Sequence, residues 1–171
     1  KNILEISASD LEPLLPPKGA PARFALGRYG EASSFESWAD VAQIFAPLYA
    51  AASTVSSAGT LNQEIDRIRK ETRDPKERAE KALQLVQDRI RYVALLMGPG
   101  GYVPAPAETT WSRRFGDCKG KTALLLAILR ALEIEAQPIA VHSILGGAIP
   151  DRLPTASVFD HVLVQAHIGG K

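Results

Sequence analysis

The side chains of this 171-residue chain that are best suited to nucleophilic and acid–base chemistry belong to one cysteine and three histidines. The cysteine is Cys118, and the histidines are His142, His161 and His167. A cysteine thiolate is a strong nucleophile toward a carbonyl carbon, and a histidine within reach can act as its base. A single thiol cannot form an intrachain disulfide or the thiolate cluster of a structural zinc site. The composition therefore leaves three alternatives for Cys118: an inert buried thiol, a surface thiol or a nucleophile.

The local sequence predicts that Cys118 begins a helix. Asp117 is a good N-cap residue, and residues 118–132 are apolar almost all round, which is typical of a helix at the centre of a domain. Free N–H groups at a helix start favour an anion, whether a thiolate or the oxyanion of a tetrahedral intermediate. Lys119 and Lys121 add positive charge nearby.

The histidine that serves as base must come from the strands that follow. Alternation in residues 161–168 predicts a strand that begins at His161, where a histidine can face a cleft while the strand holds its backbone. His142 ends the preceding predicted strand (137–142) and is the rival, whereas His167 is expected to be solvated. For each of them a purely structural role stays open.

Two aromatic residues near the cysteine are further site candidates. Tyr102 lies in a loop rich in glycine and proline (98–106) and could line a cleft. Trp111 could pack beside the thiol or assist an oxyanion. The alternative for both is ordinary packing in the core or in a loop.

The order of the predicted elements, helices first and strands later, indicates the α+β class. Residues 1–33 are irregular, with several prolines. A first helix is predicted from about Ser34 to an end or kink at Pro47. Three of its aromatic residues recur at helical spacing and are expected in the core: Trp38, Phe45 and Tyr49.

Two further helices and a short strand are predicted before the cysteine. One helix covers residues 61–72. The next begins at Pro75, with Asp74 as its N-cap and Glu77 completing a capping box. A short strand is expected at residues 92–95.

Residues 92–164 resemble the bacterial branch of the transglutaminase-like superfamily, of the kind found after a DUF3857 domain. The resemblance rests on RYV (91–93), GGYVP (100–104), RRFGDCKGK (113–121), the apolar helix LLLAILRAL (124–132) and FDHV (159–162). It implies a papain-like α+β core in which the nucleophile helix packs on an antiparallel sheet. It also implies that Cys118 is the nucleophile and His161 the general base and acid.

The third member of the implied catalytic triad is an Asp or Asn on the next strand. The ten residues after His161 contain neither, so this member is expected beyond Lys171 or is missing. The chain begins at Lys1 rather than Met, and we expect it to be an excised piece of a larger parent with adjacent domains. Residues 1–33 are interpreted as a linker or as the tail of an upstream DUF3857-like domain. Residues 34–171 are interpreted as a transglutaminase-like domain truncated at its C-terminal end.

The expected function is thiol-dependent acyl transfer on peptide or amide bonds through a Cys-thioester intermediate, with water or an amine as acceptor. The alternative is a catalytically inactive domain of the same fold that acts as a protein-binding or scaffold module. Neither a metal nor a cofactor is expected, because no loop has the ligand spacing of a calcium site. The net charge of +1 gives no general attraction to nucleic acid. The longest apolar run (122–129) is too short to span a bilayer, and related bacterial proteins imply a periplasmic or cell-envelope location.

Overall fold

The computed structural model describes residues 3, 5–21, 24, 29–94 and 101–170. The α-helices in these ranges are α1 (Trp38–Ala52), α2 (Thr60–Glu71), α3 (Pro75–Arg89), α4 (Ala107–Arg113) and α5 (Cys118–Ala131). The strands are β1 (Arg91–Tyr92), β2 (Phe115–Gly116), β3 (Glu135–Val141) and β4 (His161–His167). Short 3-10 helices at Gly146–Asp151 and Ala156–Val158 lie between β3 and β4. None of the helices in the described ranges combines the length and the hydropathy needed to cross a bilayer.

Helix α5 lies at the centre of the fold, as its apolar composition predicts. It packs against α3 and α4 and against both strands of the β3–β4 pair. Its side chains on several faces are excluded from water, among them Leu124 and Ile128, which are fully buried. The buried partners that α2 and α3 contribute to the same core are Leu61, Ile65, Ile68, Ala82, Leu85 and Val86. A helix that is apolar all round is stable only when it is surrounded in this way.

Strands β3 and β4 form an antiparallel pair whose register runs from Glu135 opposite His167 to Val141 opposite His161. Because side chains alternate between the two faces of a strand, every second pair packs toward α5. Ala136, Val164 and Ala166 belong to this face and pack against the core. The mixed α+β architecture with the cysteine helix on an antiparallel sheet is therefore confirmed.

A second, two-residue sheet joins β1 to β2 in parallel. The Arg91 N–H donates to the Arg114 carbonyl at 2.9 Å, and the Val93 N–H donates to the Gly116 carbonyl at 3.0 Å. This pairing brings Tyr92 alongside the chain just before Cys118. The strand predicted at residues 92–95 is thus shorter and starts earlier, and Leu95 lies outside the described residues.

Helix α1 differs from the predicted helix at both ends. It begins at Trp38, with Ser37 as N-cap and a capping box closed by Asp40, rather than near Ser34. It also continues through Pro47 to Ala52, although proline removes one backbone hydrogen bond. Tyr49 is buried beyond the proline, so tertiary packing holds the last turns in place.

The start of α3 agrees with the prediction from its capping residues, whereas α4 was not predicted. Asp74 caps α3 and its Oδ1 accepts from the Glu77 N–H at 2.9 Å, as predicted. The capping box is only half formed, because the Asp74 N–H donates to the Thr72 hydroxyl at 3.1 Å. Helix α4 follows directly on the predicted loop 98–106 and was not predicted, since it is short and carries mostly polar residues.

The described residues before Ser37 form no α-helix or strand. Residues 29–33 nevertheless contact the segment between β3 and β4. The Glu31 carboxylate pairs with the Arg152 guanidinium and accepts from the Leu153 N–H at 3.2 Å. The Arg152 guanidinium also lies 4.5 Å above the Tyr29 ring. The division at residue 33 between a linker and a domain stays a prediction.

Candidate active site

A cavity of about 930 Å³ opens between α1, the start of α5 and the β3–β4 pair. Helix α1 forms one wall, and residues 137–140 of β3 with the beginning of β4 form the other. Cys118 and His161 both line this cavity. Of the sequence-predicted site residues, these two and Tyr102 are brought together here.

Cys118 is the first residue of α5, and its side chain is only partly buried. It packs against a small apolar cluster formed by Tyr49, Leu126 and Val162. Asp117 is the N-cap, as predicted, and its Oδ1 accepts from the Gly120 N–H at 2.9 Å. No described residue accepts a hydrogen bond from the Cys118 N–H, so this donor is available to a bound oxygen.

Both lysines of the motif RRFGDCKGK (113–121) interact with other residues of the chain. Lys119 and Asp117 form an ion pair and are only 9% and 4% exposed, so their charges neutralise each other beside Cys118. The Lys121 ammonium donates to the Ile90 carbonyl at 2.6 Å, and its burial lowers its pKa. The anion preference at Cys118 therefore comes from the helix start more than from free lysine charge.

The glycines of the motif allow α4 to lie very close to the start of α5. A Cβ at Gly120 would lie 2.9 Å from the Thr110 hydroxyl, and one at Gly116 would lie 3.0 Å from the Thr110 methyl. Thr110 is fully buried, and no described residue hydrogen-bonds its hydroxyl. Glycine at these positions therefore fixes the approach of α4 to the cysteine.

His161 is the first residue of β4, and its side chain is partly exposed. Its neighbour Asp160 is held by Ser143, whose N–H donates at 2.8 Å and whose hydroxyl donates at 2.6 Å. These hydrogen bonds hold the pKa of Asp160 below its ordinary value. Within the described part of the chain no carboxylate contacts His161, and Asp160 does not take the place of the third triad member.

The other two histidines lie away from the cysteine. His142 Nδ1 accepts from the Ile144 and Leu145 N–H groups at 3.0 and 3.1 Å, so it shapes the turn after β3. It also lies 3.5 Å from the Asp160 carboxylate. His167 is exposed at the opposite end of β4 from His161. Neither ring lines the cavity.

Comparisons with known proteins identify the family. The sequence matches the Transglutaminase-like superfamily over residues 62–148, which is about half of the chain and includes Cys118. The chain belongs to the transglutaminase-like superfamily. The matched residues include neither α1 nor His161. A search of curated protein sequences gives no match.

Two solved structures resemble this transglutaminase-like chain. One is described as a putative protease from Parabacteroides distasonis ATCC 8503, with a TM-score of 0.57 at 12% identity, over 81% of this chain and 26% of that chain. The other is described as a putative cysteine protease from Cytophaga hutchinsonii, with a TM-score of 0.46 at 18% identity, over 74% of this chain and 39% of that chain. The first likeness shows a shared papain/transglutaminase-like fold.

Two tyrosines beside Cys118 were not among the predicted site residues. Tyr92 borders the same cavity as Cys118, and its partial burial together with the negative charge at Cys118 raises the pKa of Tyr92. Tyr49 is buried, and mainly for this reason its pKa is raised well above its ordinary value. The sequence placed Tyr92 only in a short strand, and the pairing that carries it to the cysteine has no local signal.

The two aromatic candidates of the sequence are placed differently. Tyr102 lines the cavity, with its ring centre 5.7 Å from that of Phe45. Trp111 is 3% exposed, and its indole N–H donates to the Thr60 hydroxyl at 2.9 Å. The Arg114 guanidinium lies 3.7 Å above its ring. These contacts favour the packing alternative for Trp111 in this transglutaminase-like domain.

The prediction that all three aromatic residues of α1 lie in the core is wrong for two of them. Tyr49 is buried, as expected for a core residue. Trp38 and Phe45 are only partly buried and line the cavity instead. Helical spacing identifies an apolar face, but it does not distinguish a face that packs on a core from one that borders an open cleft.

Proposed function

We propose that this domain is a cysteine hydrolase or acyltransferase that attacks peptide or amide carbonyls with Cys118. The observation that carries the proposal is the placement of Cys118, at the start of α5, and His161, at the start of β4, on one cavity. The family membership and the fold shared with a protein described as a putative protease support the same chemistry.

The proposed reaction proceeds in two half-reactions. The Cys118 thiolate forms a C–S bond to the carbonyl carbon, and the carbonyl oxygen takes up the negative charge. The C–N bond then breaks, and His161 as imidazolium donates its proton to the leaving amine, which leaves a thioester. In the second half-reaction His161 takes a proton from water or from an amine, which attacks the thioester and releases Cys118.

Groups around Cys118 can stabilise the negative charge at each stage. Cys118 is the first residue of α5, so the positive end of the helix dipole lies at this residue. The Cys118 N–H is a donor for the oxyanion, since the nucleophile's own N–H often has this role. Tyr92 borders the same cavity and supplies its hydroxyl as a second polar donor.

A non-catalytic module of the same fold is the second candidate. The observation that favours it is the absence of a carboxylate in contact with His161 among the described residues, because loss of an orienting acid slows such chemistry strongly. In that case the cavity would bind a peptide segment without cleaving it. A peptide or protein substrate, neighbouring domains of a larger parent, and a periplasmic or envelope location remain proposals that the resemblance supports.

A thiol-reactive peptide probe separates the two candidates. We expect the probe to label Cys118 faster than it labels a free thiol such as glutathione, and Cys118→Ala to abolish labelling. His161→Ala should slow labelling by about 10²–10⁴-fold, the usual contribution of a general acid or base. His167→Ala is the matched control, because this histidine is exposed at the far end of the same strand, and its labelling rate should not change. Labelling no faster than that of glutathione would leave only the binding module.

A further inference from the structure

The cavity wall that α1 supplies lies outside the residues that match the family. Six residues of α1 border the cavity at spacings of three and four, which places them on one helix face: Trp38, Val41, Ala42, Phe45, Ala46 and Tyr49. All are apolar or aromatic. The sequence match to the family therefore does not extend to this wall.

Aromatic contacts hold α1 against the other walls of the cavity. The Trp38 ring meets the Phe159 ring edge-on, with ring centres 5.6 Å apart. Phe45, two turns further along α1, meets Tyr102 with ring centres 5.7 Å apart. Edge-on and tilted aromatic pairs are favourable arrangements, so these contacts hold the wall at a defined distance from the cysteine.

The charged groups that border the cavity lie at the starts of α5 and β4, where Asp117 and Lys119 are paired with each other and Asp160 is hydrogen-bonded by Ser143. None of the described lining residues of α1 and β3 is charged. A charged substrate side chain placed between these two walls would lose water and find no opposite charge on either wall. An apolar side chain would instead exchange water for contact with rings and methyl groups.

We propose that α1 determines substrate choice, and that the cavity takes a large apolar or aromatic side chain within two residues of the amide bond that Cys118 attacks. The inference rests on the proposed function, because it names the substrate of the same site. The cavity volume of about 930 Å³ lies at the upper end of the roughly 300–1,000 Å³ typical of small-molecule sites, so it has room for such a side chain together with its backbone.

Internally quenched peptides test the proposal directly. Each peptide varies one position within two residues of the cleaved bond, with Phe, Leu, Ala, Glu or Lys at that position. We expect kcat/KM for Phe or Leu to exceed that for Glu or Lys at one of these positions by at least about tenfold, the lower range of discrimination by an apolar pocket. Equal values at every position, or a preference for Glu or Lys, would overturn the proposal.

A pair of variants on α1 assigns the preference to this helix. Ala42 and Gln43 are both exposed, but only Ala42 borders the cavity. Ala42→Trp should fill part of the cavity and reduce the ratio of kcat/KM for Phe over Ala peptides by about tenfold. Gln43→Trp adds the same ring to the same helix and should leave the ratio unchanged. A ratio that is unchanged in Ala42→Trp, or equally changed in both variants, would contradict the role of α1.

Binding to Cys118→Ala separates failure of this proposal from failure of the chemistry. This variant retains the cavity but cannot form a thioester. If no peptide is cleaved by the native chain, fluorescence polarisation with labelled Phe and Glu peptides still measures the preference. Tighter binding of Phe peptides supports the apolar site even where the acyl-transfer proposal fails, and equal or absent binding overturns the apolar site.

Discussion

The close approach of α4 to the start of α5 makes Gly120→Ala a sharp test of the site's construction. The added Cβ would lie 2.9 Å from the Thr110 hydroxyl oxygen, a distance that real Cβ atoms essentially never show. It would lie 3.6 Å from the Ala105 Cβ, which is ordinary contact. The conflict is therefore with one buried side chain, and α4 or Thr110 must move.

The expected loss of stability follows from two opposing effects. Inserting a methyl group into a tightly packed region costs about 1–3 kcal/mol. Replacing glycine by alanine inside a helix contributes up to about 1 kcal/mol of stabilisation. Gly120→Ala should therefore lower the free energy of unfolding by about 0–3 kcal/mol. In a Thr110→Ala background the clash is absent, so the same change should raise it by up to about 1 kcal/mol.

Urea unfolding of the four chains in this double-mutant cycle measures the coupling between the two positions. We expect Gly120→Ala to be more favourable in the Thr110→Ala background by about 1–3 kcal/mol, which is the overpacking contribution. Gly30→Ala is the control, because its Cβ would lie in ordinary contact, 3.5 Å from the flexible Ile6 side chain. Its effect on the free energy of unfolding should be the same in the native and the Thr110→Ala backgrounds. A coupling near zero would refute the argument that glycine is needed here for close approach.

Two further predictions concern residues around the site. Trp111→Phe loses the hydrogen bond to Thr60 and should lower the free energy of unfolding by about 1–3 kcal/mol in urea, while the probe labels the folded variant at the native rate. A hundredfold slower labelling would instead make Trp111 an oxyanion donor. Ser143→Ala removes the hydroxyl but keeps the backbone N–H that donates to Asp160, so it should raise the pKa of Asp160 part of the way toward its ordinary value, as measured by NMR titration of the carboxyl group. No change would exclude the Ser143 hydroxyl as a cause. Because the folded pKa is depressed, the Asp160 interaction stabilises the fold above an ordinary aspartate pKa of about 3.9 and is lost as the pH falls through the folded value.

Elements with strong local signals were predictable from the sequence. Helix α5 was predicted at residues 118–132 and is observed at Cys118–Ala131, because an aspartate cap and a continuous apolar run define it without tertiary information. The start of α3 at Pro75 follows from the same kind of local capping chemistry. Strand β4 was also anticipated, since alternation extends over its whole length.

Features that depend on contacts distant in sequence were not predictable. Tyr92 reaches Cys118 through a two-residue parallel pairing with the chain around Gly116, and no pattern in either segment encodes that register. The sequence alone also left His142 and His161 as alternatives, because both lie at strand ends. Their surroundings differ only in the folded chain: the N–H groups of the turn after β3 donate to the His142 ring, whereas His161 lines the cavity.

The anchoring of α1 has a consequence for the order in which the domain assembles. The Glu31–Arg152 pair before the helix joins residues 121 positions apart, and the bond from Arg130 to the Ser53 carbonyl after it joins residues 77 positions apart. Contacts of such long sequence separation require closure of large loops, which makes them slow to form. We therefore expect α1 to dock late in folding, after α5 and the strands beside it have packed together.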